Sequence, residues 1–438
     1  FSHSIHKYRI LILTAYRPEG TPGWSKGSHY RHLGLETLSE KSSGHLVRNI
    51  LGGLELDNDL EKLIVSKTGG NPFYVEEMIR ELMERNELMK HGRRYVLRNP
   101  IDHLKIPGTV QGIIAARMDR LSEDLKKTMQ VASVIGRDFG YKILRSILEL
   151  GDELRTHLTN LVGIEILYEK ALYPELEYIF KHALTQEVAY ESLLKQRRKE
   201  IHRRIAKTIE ELYAENLGEH YELLAYHYER SGNGIKAANY LILAGEKSYE
   251  NASAQTAFEF FNKALSVTKS QKLQLDGEAK VRIHSGLAQS SFQIGDSERC
   301  VKESRTSIEL SRQYKLIAFE RDNLSLLAVV MTNWPEKAEA QKSYEDGLAR
   351  AQEIKDKGLE SSILSMMGTR AAIDGQFYKG YQICIKAEKL ALETDDLVGH
   401  IMTRVNRSFA ERWIGRPGKT VELTEGMAKM ARQMENFY

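Results

Sequence analysis

A turn that recurs every 40 residues limits what the second half of this chain can fold into. The segments "IGDSERC", "NWPEKAE", "DGQFYKG" and "IGRPGKT" carry anchors at Gly295, Pro335, Gly375 and Gly415, each 40 positions after the last. A fixed period of this size is typical of stacked helical hairpins. Because the usual tetratricopeptide unit has ~34 residues, we expect a solenoid of longer, tetratricopeptide-like hairpins over residues 216–438.

Composition is that of an ordinary globular protein, and it excludes several classes. Hydrophobic residues make up 42% and charged residues 28%, and a net charge of +3 is too small to indicate a polyanionic partner by itself. The two cysteines, Cys300 and Cys384, suggest neither a disulfide framework nor a zinc site. No apolar run approaches the ~20 residues of a membrane-spanning helix. We therefore expect a cytoplasmic protein without membrane contact and, because it starts at Phe1 rather than Met, a piece of a longer protein.

A short apolar run near the amino terminus ends in polar residues. Ile10–Leu13 predicts a buried parallel strand, which Pro18 prevents from continuing. Thr14 and Arg17 then stand at its carboxyl end, the edge at which open α/β sheets bind ligands. Ser39 predicts the start of a helix, because serine is a favourable N-cap. Residues 1–105 are accordingly expected to combine this strand with helices.

The middle region, residues 106–215, combines helices with two strands. Pro107 and Ser122 mark helix starts, and Gly163 closes a later helix. A strand with alternating Ile164, Ile166 and Tyr168 follows, and the segment "LEYIF" returns as its partner. Helices followed by a two-stranded wing predict a winged helix-turn-helix.

Four motifs in the first 270 residues resemble those of a known family when taken in order. They are "TAYRPEG", "GGNPFYVEEMIREL", "IPGTVQGIIAARMDRLSEDLKKTMQVASVIGRDF" and "FKHALTQEVAYESLL". The arrangement is similar to the carboxyl half of signal-transduction ATPases (STAND) of the AAA+ class that carry tetratricopeptide repeats. Some of these regulators have an adenylate/guanylate cyclase domain upstream, and others have a LuxR-type DNA-binding domain. The expected fold is therefore mostly α: a truncated AAA+ end, a winged helix and an α-solenoid.

The resemblance implies a set of nucleotide-sensing residues. Arg17, with Thr14 beside it, matches the arginine that senses the γ-phosphate, a role that suits the planar, permanently charged guanidinium. His182 matches a winged-helix histidine that bonds the β-phosphate of ADP and holds a closed state. A surface arginine in a loop and a histidine packed at a strand–helix junction are the plainer alternatives.

The resemblance also implies nucleotide-binding residues at Gly70, Asn71 and Pro72. These match an element in which the proline packs on the adenine ring, because glycine permits close backbone approach and proline offers a rigid apolar face. A simple helix start explains the same three residues equally well.

The motifs that carry out ATP hydrolysis are missing from this sequence. It contains no "GxxxxGK[ST]" loop to cradle phosphates and no acidic pair before Ile10 to hold Mg²⁺. We therefore expect no catalytic residue, no metal site and no tight nucleotide binding in this chain alone. ATP or ADP with Mg²⁺ is expected only in the intact protein.

Two further features allow other interpretations. The basic segment "LLKQRRKEIHRRIAK" could contact DNA, but Ile201, Ile205 and Ile209 give it a core-facing stripe, so a solvated face is favoured. Aromatic residues around Tyr221, Tyr226, His227 and Tyr228 could form a ligand surface, although solenoid aromatics more often fill the hairpin core.

The favoured function is a nucleotide-gated regulator whose repeats bind a protein or peptide and control an upstream effector such as a nucleotide cyclase. A passive tetratricopeptide scaffold and a winged-helix DNA-binding regulator are the alternatives.

Overall fold

A computed structural model describes residues 31–100, 107–171, 175–394 and 396–435, together with Leu11, Leu13, Thr14 and Tyr16. These residues form twenty α-helices and six short strands, so the fold is mostly α, as expected from the sequence. In chain order the elements are α1 (Glu40–Ile50), β1 (Glu55–Leu56), α2 (Asn58–Thr68), α3 (Pro72–Glu84), β2 (Leu88–His91), β3 (Arg94–Leu97), α4 (Val110–Asp119), α5 (Glu123–Ile135), β4 (Asp138–Gly140), α6 (Tyr141–Leu148), α7 (Glu153–Gly163), β5 (Leu167–Ala171), β6 (Glu177–Phe180), α8 (Ala183–Glu191), α9 (Lys195–Leu212), α10 (Tyr221–Ser231), α11 (Gly234–Glu250), α12 (Ala254–Ser270), α13 (Gly277–Ile294), α14 (Ser297–Tyr314), α15 (Ile317–Met331), α16 (Lys337–Glu353), α17 (Lys357–Ile373), α18 (Phe377–Ala391), α19 (Leu397–Trp413) and α20 (Pro417–Glu435).

The chain divides into two compact units. The first comprises residues 1–127 and 182–192, and the second comprises residues 128–181 and 193–438. The division into residues 1–105, 106–215 and 216–438 stays a prediction.

The first unit is a small helical core with a three-stranded sheet. Strand β3 pairs in parallel with β1 and antiparallel with β2. Arg117 of α4 is 8% exposed and donates hydrogen bonds to Glu77 Oε2 at 2.7 Å and Glu84 Oε1 at 2.7 Å, both on α3. This bidentate cation fixes α4 against α3. The core side chains with no exposed area include Val47, Leu60, Ile64, Val75, Met78, Ile79 and Ile113.

The second unit begins with helices and a three-stranded antiparallel sheet in the order β4-β6-β5. Both predicted strands are present, but the first, β5, begins at Leu167, so it includes Tyr168 and not Ile164 or Ile166, which lie in the turn after α7. Helix α7 ends at Gly163 as expected. In the first unit, Ser122 directly precedes α5, whereas α4 begins at Val110 rather than at Pro107, because Thr109 accepts the capping hydrogen bond from the Gly112 amide. The winged-helix interpretation of this region stays a prediction.

The helices from α13 to α20 form hairpins with the predicted period. Helices α13, α15, α17 and α19 begin at residues 277, 317, 357 and 397, and α14, α16, α18 and α20 begin at 297, 337, 377 and 417. Gly295, Gly375 and Gly415 in the turns have φ of +85°, +83° and +81°, which side chains with a Cβ rarely adopt. The sequence therefore predicted the repeat and the positions of its turns.

Buried carboxylates join successive helices of the solenoid. Glu320 of α15 is 1% exposed and accepts hydrogen bonds from Arg312 of α14 at 2.6 Å and from Arg350 of α16 at 2.8 Å. Burial alone raises the pKa of Glu320, but the bonds from Arg350 and Arg312 outweigh it and lower the pKa. Each such charge is therefore compensated where it is buried.

The apolar run at the amino terminus differs from its prediction. Leu11 and Leu13 lie outside any strand and are 92% and 93% exposed, so the predicted buried strand is wrong for them. An apolar run becomes a central strand only where other strands pair with it on both edges. The sheets of the described residues, β1-β3-β2 and β4-β6-β5, do not include it.

Among the described residues, no helix combines the length and hydropathy needed to cross a bilayer.

Candidate functional site

The predicted nucleotide-binding turn at residues 70–72 is where α2 ends and α3 begins. Gly69 and Gly70 have φ of +56° and +73°, the Asn71 side chain accepts a hydrogen bond from the Tyr74 amide at 3.1 Å, and Pro72 is the first helical residue. A Cβ on Gly70 would overlap the backbone carbonyl of Leu38, whose amide donates to the Gly70 carbonyl at 2.8 Å. The close approach that Gly70 permits is therefore to Leu38, and Asn71 is engaged as a helix cap.

His182, a predicted nucleotide-sensing residue, contacts the helix that Pro72 begins. His182, at the start of α8, packs its ring on Phe73 with centroids 4.0 Å apart, and Phe73 directly follows Pro72. Pro72 is exposed and His182 is half-buried. The fold thus brings together two motifs separated by 110 positions in the sequence.

Of the two predicted γ-phosphate sensors, only Thr14 is among the described residues. Thr14 is exposed and lies outside regular secondary structure. Arg17 lies outside the described residues, so its role stays a prediction.

The turns of the last repeats carry an exposed group of aromatic side chains, here called the turn-edge cluster: Phe377, Tyr378, Phe409 and Trp413. Their exposed fractions are 44%, 65%, 47% and 39%. The Trp413 ring lies 6.3 Å from Phe377 and 6.4 Å from Phe409. An open cleft of ≈ 760 Å³ lies here, between the turns at Gly375 and Gly415. Exposed, adjoining aromatic rings of this kind are characteristic of binding surfaces.

A second cleft occupies the equivalent place two repeats earlier. It has a volume of ≈ 740 Å³ and is lined by Trp334 and Pro335 of one turn and by Ser297 and Glu298 of the preceding repeat. Trp334 Nε1 donates to Glu339 Oε2 at 2.8 Å, and Arg305 donates to Glu339 Oε1 at 2.7 Å. Trp334, Arg305 and Glu339 of this cleft therefore already bind one another.

The aromatic residues around Tyr228 belong mainly to the hairpin core. Tyr228 is 1% exposed, stacks on Tyr240 with centroids 5.7 Å apart, and donates to Glu210 at 2.6 Å. Tyr221 lies 6.0 Å from Tyr240. Core packing, the plainer of the two sequence-based alternatives, accounts for Tyr228.

A pair of buried histidines lies between α9 and α10. His202 and His227 have no exposed surface, and their Nδ1 atoms are 2.8 Å apart. Burial, followed by the charges of Arg230 and Arg198, lowers the pKa of His202 to about 4. Burial, with His202 and Arg230, also lowers the pKa of His227. Both rings are therefore neutral at physiological pH.

Metal and thiol chemistry have little support in the described part of the chain. No group of three His, Cys, Asp or Glu side chains there is arranged to hold a metal ion. Both cysteines are buried and unbonded to each other, and burial raises the pKa of Cys300 to about 11 and of Cys384 to about 12. Such thiols remain protonated and unreactive.

Comparisons with known proteins place few limits on function. Residues 39–89 match the family described as "Domain of unknown function (DUF8739)". A Rhizobium meliloti (strain 1021) protein, "Uncharacterized protein R02095", is 24% identical over 269 residues, which are 60% of this chain and 25% of the relative. The chain thus spans about a quarter of that relative's length.

Several solved structures show weak likeness to the chain. The STAND protein with a tetratricopeptide repeat sensor PH0952 from Pyrococcus horikoshii has a TM-score of 0.38 at 14% identity, covering 94% of this chain and 62% of that one. NprR in complex with its cognate peptide NprX has a TM-score of 0.40 at 16% identity, covering 72% and 81%. BtubC from P. vanneervenii has a TM-score of 0.35 at 14% identity, covering 56% and 94%.

Sequence reasoning missed the turn-edge cluster and the histidine pair. Phe377 and Trp413 are 36 positions apart, and the structure brings them together because each adjoins a turn of a 40-residue repeat. Aligning the four turns does not single out the cluster, because each turn has an aromatic residue within three positions of its anchor: Phe292, Trp334, Phe377 and Trp413. The histidine pair left no signal either, since it joins faces of two different helices.

Proposed function

We propose that the helical repeats bind a protein or peptide partner at the turn-edge cluster. The observation that supports this most directly is the exposure of Phe377, Tyr378 and Trp413 at one cleft, where the last two hairpins turn, with the exposed Phe409 next to Trp413. Aromatic side chains dominate binding energy at interfaces, because they bury a large apolar area with few rotatable bonds. Solenoids present such extended surfaces through stacking of their repeats.

Selection from a random peptide library tests this function without knowledge of the partner. Peptides selected on the wild-type chain should bind the Phe377→Ser/Trp413→Ser variant at least tenfold more weakly, because the variant removes the two facing rings. Leu392→Ser is the matched control, since Leu392 is 60% exposed at the opposite end of α18. Selected peptides that bind the double variant as tightly as the wild type would contradict this site.

We further propose that an adenine nucleotide gates this regulator in the intact protein, with an effector such as a nucleotide cyclase as the output. The packing of His182 on Phe73, beside the exposed Pro72, supports a shared ligand position for these two motifs. Pro72 would face the base, and His182 would donate an imidazole N–H to a phosphate. Gly70 and Asn71 would hold the turn, and Thr14 and Arg17 would sense the terminal phosphate. The charged groups that these residues contact would be supplied by a bound nucleotide with Mg²⁺.

Nucleotide gating is tested in the longer parent protein by titration with a fluorescent ADP analogue. His182→Ala should weaken binding of the ADP analogue about tenfold or more, the loss expected for a charged hydrogen-bonding partner of phosphate. Arg17→Ala should weaken binding of the matching ATP analogue by as much, because only ATP carries the γ-phosphate that Arg17 would contact. His91→Ala serves as the control because His91 is exposed on β2. Unchanged affinity in both test variants rules out the assigned roles and leaves a passive scaffold as the function.

DNA binding remains the less favoured function. Ile201, Ile205 and Ile209 of α9 are buried, so the basic residues of this helix form the face opposite a core stripe. This is the arrangement expected of a solvated face.

A further inference from the structure

The inference that follows rests on the proposed partner-binding function and names the chemistry of the partner. We infer that the turn-edge cluster binds an extended peptide segment of another protein, in which an apolar or aromatic anchor is flanked by carboxylates. The apolar part follows from the four exposed rings. The acidic part follows from the charges around them.

Exposed cations surround the turn-edge cluster. Lys379 lines the cleft, Arg412 precedes Trp413, and Arg416 follows the turn, with its guanidinium 5.6 Å from the centre of the Tyr381 ring. In the described part of the chain, no carboxylate forms an ion pair with any of these three cations. Arg416 also donates a hydrogen bond to the Tyr381 hydroxyl at 3.4 Å. A partner carboxylate could therefore pair with these cations without displacing another carboxylate.

The acidic residues closest to the cluster along the chain are already neutralised. Asp374 is held by Lys337 at 2.9 Å and by Arg370 at 3.1 Å. Glu411 is 1% exposed and is paired with Arg407 at 3.4 Å. The surface that faces solvent is consequently positive, although the whole chain carries a net charge of only +3.

In the equivalent cleft two repeats earlier, a tryptophan and an arginine already share a carboxylate partner. There Trp334 donates to Glu339, and Arg305 pairs with the same carboxylate. At the turn-edge cluster Trp413 and Arg416 have no such carboxylate among the described residues. A carboxylate from the partner would supply the role that Glu339 plays in the earlier cleft, as an acceptor for an indole N–H beside a guanidinium.

Three synthetic peptides measured by isothermal titration calorimetry test this chemistry. The first has a Trp-Leu-Phe centre flanked by Asp and Glu, the second has the same centre flanked by Lys, and the third has acidic flanks around Gly-Ser-Gly. We expect the first to bind at least tenfold more tightly than either of the others. Its affinity should also fall when the NaCl concentration is raised from 50 to 500 mM, as ions screen exposed charges.

Charge reversal separates the acidic contribution from the apolar one. Lys379→Glu/Arg416→Glu should lower the affinity for the acidic peptide at least tenfold and raise the affinity for the basic peptide. Lys342→Glu/Lys386→Glu makes the same change in net charge on exposed helix positions away from the cluster and should alter neither. Unchanged helical circular dichroism in both variants shows that the fold is retained.

The two proposals fail in distinguishable ways. If acidic and basic peptides bind equally well and Trp413→Ser abolishes both, the cluster is a peptide site and the charge inference is wrong. If none of the three peptides binds, the inferred chemistry is overturned, while library selection still decides whether the repeats bind peptides at this cleft.

Discussion

Replacing Phe261 with Ala is expected to lower the free energy of unfolding of the repeat region by about 3–5 kcal/mol. Phe261 of α12 is 1% exposed and lies where α11 and α13 present glycines toward it. A Cβ on Gly245 would lie 2.9 Å from the ring, and one on Gly286 would overlap it. The neighbouring helices pack directly against this ring at their glycines. We therefore expect them to collapse little into the space that the ring leaves.

The same contact predicts that the effect of Gly286→Ala on the free energy of unfolding has opposite signs in the wild-type chain and in the Phe261→Ala variant. Gly286→Ala should destabilise the wild-type chain, because the added methyl group collides with the Phe261 ring. In the Phe261→Ala background it should stabilise, since alanine is about 1 kcal/mol more favourable than glycine within a helix and fills part of the cavity. Urea unfolding followed by far-ultraviolet circular dichroism measures all four combinations as a double-mutant cycle.

Phe292→Ala is the control for these variants, because Phe292 lies on the adjoining α13 but is 43% exposed. Its cost should stay below about 1 kcal/mol. A loss below that value for Phe261→Ala, or a destabilising effect of Gly286→Ala in both backgrounds, would show that the ring does not hold the three helices together.

Local backbone chemistry made part of this fold predictable from the sequence. Gly295, Gly375 and Gly415 follow the ends of their helices with positive φ, a conformation that glycine adopts without steric cost, so three of the four turns are marked by glycine and the fourth by Pro335. Likewise, Asn71 and Pro72 start α3 through a capping bond and a fixed φ. These signals depend on residues only a few positions apart.

Features that depend on distant partners could not be predicted in the same way. The apolar character of Leu11 and Leu13 indicated a strand, yet burial of a strand requires neighbours that the run itself does not specify, and both side chains are exposed. Gly70 was interpreted as a site for close ligand approach, whereas Leu38, 32 positions earlier, takes that place. A close approach can be inferred from a glycine, but the identity of the approaching group cannot.

Mild acid is expected to destabilise the repeat region through His202 and His227. The pKa of each ring is lower in the folded chain than the ordinary value near 6.5, because both are buried beside cationic groups. The unfolded chain therefore binds more protons, so stability is complete above pH 6.5 and falls as the pH drops toward 4. Between pH 7.5 and pH 5 we expect a loss of about 1–2 kcal/mol for each histidine.

This pH range separates the histidines from the buried carboxylates. Hydrogen bonds from arginines lower the pKa values of Glu320 and Glu388 despite burial, so their contribution is lost only when the pH falls below about 4.5, the ordinary value for a glutamic acid. Burial also lowers the pKa of His400. His400 therefore adds a smaller pH dependence of stability in the same pH range as the pair. A decline in the free energy of unfolding that begins near pH 6.5 is therefore due mainly to His202 and His227.

Urea unfolding at pH 7.5, 6 and 5 measures the effect, and His202→Gln/His227→Gln tests its origin. Two glutamines can hydrogen-bond to each other but do not titrate, so the double variant should lose most of the pH dependence even if it is less stable at pH 7.5. His91→Gln, which changes an exposed histidine, should retain the full slope. A double variant that declines between pH 7.5 and pH 5 as steeply as the wild type would show that the buried pair is not what acid acts upon, because no proton could then bind at those two positions.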